Sequence, residues 1–155
     1  MKNTVITFVF LTFSLILLGQ NKPITLTLQQ IEFKDNTLIK TISDLSKEQD
    51  CFSKNDFYIL DFFQSSLSSG EYYLSINRFV VDDKIINSIA YYVVINDIVF
   101  FISNKVSVEI IKILPLKKEY KFNKKNTPII VGDYRFLIWR TLGGYYHVLS
   151  RTCGE

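Results

Sequence analysis

From Phe57 onward the chain is a series of short apolar and aromatic runs separated by turn residues, and this spacing suits strands joined by tight connections. Phe57 to Phe63 is dense enough in aromatic residues for a central strand, and Glu71 to Val81 is a second candidate, stopped by Asp82-Asp83. Ile89 to Ile95 and Ile98 to Ser103 flank Asn96-Asp97, two residues that tolerate positive φ, which predicts a hairpin. Val106 to Leu114 alternates at first and is ended by Pro115, which cannot donate to a ladder. Lys117 to Phe122 reads as an edge strand, Thr127-Pro128 and Gly132-Asp133 as turns. Tyr134 to Leu142 and Tyr145 to Arg151 flank Gly143-Gly144, a second hairpin signal. Tight connections place neighbours antiparallel, because parallel neighbours need long crossovers.

Upstream the pattern is mixed. Ile24, Leu26 and Leu28 alternate with Thr25, Thr27 and Gln29, as in a strand with one buried face. The phase slips at Gln29-Gln30, so Ile31 and Phe33 belong to a bulge or a continuation. Asp35-Asn36 can cap a helix. Leu38, Ile39, Ile42 and Leu45 then share one face, predicting an amphipathic helix over Thr37 to Gln49. The fold class expected is α+β: one N-terminal amphipathic helix packed on a curved, mainly antiparallel sheet of about seven or eight strands.

The first 19 residues read as an export leader. Lys2 gives a positive start, Thr4 to Leu18 is an uncharged, mostly apolar run, and Gly19 precedes the polar string Gln20, Asn21, Lys22, Pro23. The run is shorter than the roughly 20 residues a bilayer core needs. Cleavage is expected after Gly19 or Gln20, with no lipid anchor, since Gln20 stands where a lipid-bearing Cys would be required. The expected organisation is a signal peptide over 1–19 and a single secreted domain over 20–155, periplasmic or extracellular, with no stable membrane anchor after cleavage.

Charge is unevenly spread. Gln20 to Asp97 holds 7 basic and 11 acidic residues, whereas Ile98 to Glu155 holds 10 basic and 4 acidic. The excess gathers at Lys112, Lys117, Lys118, Lys121, Lys124 and Lys125. Such a patch can draw phosphates, anionic lipid or an acidic partner. Lysines also guard an edge strand against unwanted pairing, and the lack of arginine in the cluster favours that use. Nucleic acid is not an expected partner at this modest charge.

Cys51 and Cys153 are the only cysteines. In an oxidising compartment such a pair tends to bridge. A loop of that length would add up to about 4–5 kcal/mol in the chain-entropy picture and would hold the C-terminal tail. The alternative is a free, reactive Cys51, which with His147 could form the nucleophile and base of a cysteine hydrolase. Against it, Cys51 follows the C-terminal end of the predicted helix, where the dipole raises a thiol's pKa. No other constellation carries chemistry. His147 is the single histidine, no ligand-spaced His/Cys set is present, and P-loop, dinucleotide and GxSxG signatures are missing. No metal or cofactor is expected.

The aromatic doublets carry more weight: Phe57-Tyr58, Phe62-Phe63, Tyr72-Tyr73, Tyr91-Tyr92, Phe100-Phe101 and Tyr145-Tyr146. Adjacent strand residues point to opposite faces, so each doublet sends one ring inward and one outward. Outward rings either support cross-strand pairs or form a recognition surface. The binding residues expected are Tyr73, Tyr92 and Tyr146, beside Lys117, Lys118 and Lys121. The function expected is non-catalytic binding of another exported protein, as an inhibitor or immunity-type protein would do. The competing expectations are the cysteine hydrolase using Cys51 and His147, and a carrier for a small apolar ligand inside the sheet.

Overall fold

A computed structural model describes residues 23–64, 70–122 and 135–153. The leader, the turns at Thr127-Pro128 and Gly132-Asp133, and Lys124 and Lys125 lie outside the described residues. In chain order the elements are β1 (Ile24–Phe33), α1 (Asn36–Leu45), β2 (Phe57–Gln64), β3 (Tyr72–Arg78), α2 (Asp83–Ser88), β4 (Ile89–Ile95), β5 (Ile98–Ser103), β6 (Ile111–Phe122), β7 (Phe136–Arg140) and β8 (Tyr146–Arg151). The strands form one sheet in the order β6-β1-β4-β5-β2-β3-β7-β8, so this is a sheet-dominated α+β fold.

The sheet is mainly antiparallel, as expected, but two of its pairings are parallel. β1 runs parallel to β4, paired at Gln29↔Tyr91 and Gln30↔Tyr92, and β2 runs parallel to β5 from Phe57↔Val99 to Leu60↔Ile102. The remaining neighbours are antiparallel. The physical reason lies in the β4–β5 hairpin. Its turn is the expected one, with Asn96 at φ 51° and Asp97 at φ 64°. The hairpin, once formed, sits as a unit between β1 and β2, and each of its strands faces an earlier strand of the same direction. Turn chemistry fixes a hairpin but does not say where it docks.

One face of the sheet is covered by α1. Asp35 caps the helix through its Oδ1, which accepts from Thr37 N at 2.8 Å and Leu38 N at 3.2 Å. Leu38 and Ile42 are fully buried against Ile31, Phe33, Leu60, Leu74, Ile102, Phe136 and Ile138. The helix ends at Leu45 rather than Gln49, with Ser46 as its C-terminal cap.

The other face is covered in part. Asp82-Asp83 does more than stop a strand: Asp82 Oδ1 accepts from Lys84 N at 2.8 Å and Ile85 N at 3.3 Å, capping the short helix α2. Pro115 does not end a strand either. β6 passes through it, and the ladder with β1 shifts between Gln29↔Lys117 and Ile31↔Ile113. Proline is tolerated at a bulge on an edge strand, where no ladder donor is lost. The Gln29 side-chain amide donates to the carbonyls of Leu114 and Leu116 in that bulge. Beyond it, the outer half of the β1–β6 ribbon bends over the second face. Tyr120 and Phe122 of the edge strand thereby meet Phe57 and Phe101 of the central strands, with ring centroids 5.0–5.8 Å apart. Phe79, Val81 and Ile85 close the same cluster.

Candidate functional site

Two groups of residues flank this packing, one on each face. On the helix side, four polar side chains from four elements converge at the N-terminus of α1. Tyr146 Oη donates to Asp35 Oδ2 at 2.7 Å, and the Oη atoms of Tyr72 and Tyr146 are 2.6 Å apart. Since Tyr146 gives its proton to the carboxylate, Tyr72 donates to Tyr146. Arg140 Nε lies 3.6 Å from Asp35 Oδ2, its guanidinium stands over the rings of Tyr72 and Tyr146, and a terminal nitrogen donates to Gly70 O at 2.6 Å. A cleft of about 240 Å³ opens beside it, lined in part by Glu71, Tyr72, Glu109 and Arg140.

The electrostatics of this group are those of a tie. Burial pushes the Asp35 carboxyl up, but the Tyr146 hydroxyl, the backbone amides of Leu38 and Thr37, and Arg140 outweigh it, and the net shift is downward. The Tyr146 phenol is driven far above its ordinary range, first by burial and then by its bonds to Tyr72 and Asp35. Neither tyrosine is an accessible base, and the carboxylate is already engaged. The arrangement locks β3, β7 and β8 to the start of α1.

The second group lies on the opposite face of β2, β3, β7 and β8. The inward residues of these strands, such as Phe62, Leu74 and Ile138, belong to the helix-side core. Their neighbours therefore point to the other face. There, Phe63 is paired with Tyr73, Tyr73 with Trp139, and Trp139 with His147. Four aromatic residues thus form one row across four strands. Trp139 and His147 have ring centroids 5.9 Å apart. None of the four belongs to the apolar cluster beneath the β1–β6 ribbon, so among the described residues the cover on this face stops short of them. Phe63 and His147 are exposed, Tyr73 and Trp139 half-buried. The adjacent register runs through Asp61, Ser75, Leu137 and Ser150, of which Ser75 is fully buried.

Measured against the expected site residues, the structure separates what the sequence had grouped. Tyr73 sits in the row. Tyr92 is a correction: only 5% of it is exposed, its ring packs edge-on to Tyr120, and its hydroxyl donates to Gln30 Oε1 at 3.0 Å. Both faces of the central strands are covered, so outward from one core is inward to another. Tyr146 is also a correction, since it faces the helix side and is tied to Asp35. Lys117, Lys118 and Lys121 are exposed, but on β6, at the other end of the strand order from the row. Phe63, Trp139 and His147 were not picked out as binding residues. Strand register is what aligns them, and register between non-consecutive strands leaves no local signal.

The sulfurs of Cys51 and Cys153 are bonded to each other. Cys51 therefore has no thiol to ionise, and the Cys51–His147 pair has no nucleophile in this state. His147 lies against Trp139 on an edge strand instead. The carrier reading meets closely set rings: Phe57 and Phe101 stack at 5.2 Å, and Phe79 meets Phe101 edge-on at 4.9 Å. Among the described residues there is no cluster of His, Cys, Asp and Glu arranged to hold a metal ion, and no helix long and apolar enough to cross a membrane.

Comparison with known proteins gives no match, neither to a family model nor to a curated protein nor to a solved structure.

Proposed function

We propose that this chain is an exported, non-catalytic binding protein that acts in the periplasm or outside the cell and grips another exported protein, as inhibitors and immunity-type proteins do. The observation that carries the reading is the row Phe63, Tyr73, Trp139, His147, aligned in register on a part of the sheet that no other described residue covers as a layer. Tyr and Trp give large contact areas with few rotatable bonds and dominate binding energies at protein interfaces. A rigid sheet holds them in place before the partner arrives, which lowers the entropy cost of association. The export leader over 1–19 and the bonded pair Cys51–Cys153 both suit an oxidising compartment.

The binding face is the row, with Asp61 beside it as a charged group. The lysines of β6 belong to the opposite edge and serve there as guards against strand pairing. The test is capture of partners from periplasmic extract by the mature protein and by Tyr73→Ala and Trp139→Ala variants with unchanged far-ultraviolet circular dichroism. A partner held by the wild type and lost by both variants supports the reading. Capture that both variants retain, or a hydrolase turnover in the purified protein, overturns it.

A further inference from the structure

The two ends of the sheet are built differently. β6, at one end, presents Lys112, Lys117, Lys118 and Lys121 and is interrupted by Pro115, all of which obstruct the addition of another strand. β8, at the other end, reads Tyr146-His147-Val148-Leu149-Ser150-Arg151, with no lysine and no proline. Val148 is 46% exposed, Leu149 52% and the preceding Tyr145 70%. Among the described residues, β7 is the only strand beside β8.

The direction of its peptide groups follows from the hairpin. Thr141 N donates to Tyr145 O at 2.9 Å, which makes Thr141 and Tyr145 a hydrogen-bonded pair. Such pairs alternate along an antiparallel ladder. Trp139↔His147 is therefore bonded, while Arg140↔Tyr146 and Ile138↔Val148 are not. The N–H and C=O groups of Tyr146 and Val148 point away from β7, off the edge of the sheet. The bulge at Leu149, where Leu137 pairs with Ser150 and Ile138 with Val148, ends this regular stretch.

We infer that the partner is bound by strand addition: an extended segment of the exported protein pairs with the outer edge of β8 at Tyr146 and Val148 and places an apolar side chain beside His147. This rests on the binding reading above and deepens it. Only extended polypeptide offers donors and acceptors at the spacing of an open edge. The aromatic row ends at His147 on this same strand, so an added strand would continue the row by one more side chain. Main-chain bonds supply affinity in this mode, and the alternate side chains supply selectivity.

The test uses a fluorescent octapeptide of alternating valine and threonine, N-methylated on alternate amides so that it has a single pairing edge and cannot self-associate. Saturable binding is expected, with exchange of the Tyr146 and Val148 amides slowed by at least about tenfold at saturation. Val148→Pro removes an outward N–H and spares the bonds to β7, so it keeps the fold and loses the peptide. Val148→Thr keeps both. Should the proline variant unfold, the exchange measurement on the wild type still decides. Failure to bind at millimolar peptide overturns the inference. So does slow exchange at Tyr146 and Val148 in dilute free protein, or slowing that follows protein concentration alone, which would mark self-association. Capture of the exported partner that is lost in Trp139→Ala and unchanged in Val148→Pro would remove strand addition and leave the aromatic face standing.

Discussion

The hydroxyl of Tyr146 donates to the carboxylate of Asp35 across 111 residues of sequence, joining the last strand to the cap of the first helix. The same carboxylate caps α1 with its other oxygen, so one side chain both starts a helix and fastens a hairpin.

Acid should weaken this tie. The folded pKa of Asp35 lies below its ordinary value, so the ionised form is favoured in the native state. Its contribution is full above the unfolded carboxylate pKa, near 4, and declines as pH falls through the lower folded value. Asp35→Ala should cost about 2 kcal/mol at neutral pH, from the lost cap and the stranded hydroxyl of Tyr146. Urea melts at pH 7 and pH 3 check both statements: the gap between wild type and variant should narrow in acid. An equal gap at both pH values refutes the assignment.

Tyr120 should be better without its hydroxyl. The atom is buried with no hydrogen-bond partner among the described residues, and burial, then the nearby Tyr92, push its pKa up to about 12. A stranded hydroxyl costs about 1–3 kcal/mol. Tyr120→Phe is therefore expected to raise the thermal midpoint, by several degrees for a domain of this size. A clear drop in calorimetry would mean that the hydroxyl is satisfied.

Reduction of Cys51–Cys153 should unfold the domain more readily without changing its native contacts. The bridge spans 102 positions and ties the segment after α1 to the tail after β8. Removing it by Cys51→Ser and Cys153→Ser together should cost about 2–5 kcal/mol. Guanidinium titration with and without reductant measures this, and titration with a thiol reagent should find no reactive sulfur in the native protein.

Trp139→Ala should separate binding from folding. The side chain stands on the outward face and is only half-buried, outside both apolar clusters. A stability loss of about 1 kcal/mol is expected, against a loss of at least tenfold in partner affinity. Comparable loss of stability and capture would make Trp139 a core residue instead.

Alternation and turn residues made much of the local structure legible. The Asn96-Asp97 hairpin, the cap at Asp35, the aromatic strand from Phe57 and the Gly143-Gly144 hairpin all follow from neighbouring residues, and all are in the fold. The cysteine pair was legible from compartment chemistry. What escaped was non-local. Nothing in Gln29-Gln30 shows that they will meet Tyr91 and Tyr92 in parallel. Tyr92 read as outward because alternation names a face without saying what lies over it, and here the bent β1–β6 ribbon does. Asp82 stops a strand and also starts a helix, and an Asp before Ile85 and Ile86 carries both signals. The aromatic row had no local signature, because its four members come from four strands whose order only the assembled sheet defines.

The insertion of β4 and β5 between β1 and β2 sets a schedule for the growing chain. When the first eighty residues have left the ribosome, the residues of β1 and β2 have been made, yet neither has its parallel neighbour. The centre of the sheet can be filled only after Ser103 has been made, and its flanks only after β6 and β8 follow. Long-range pairing of this kind is slow. A polypeptide that cannot close early stays threadable, which is what the export proposed above would require.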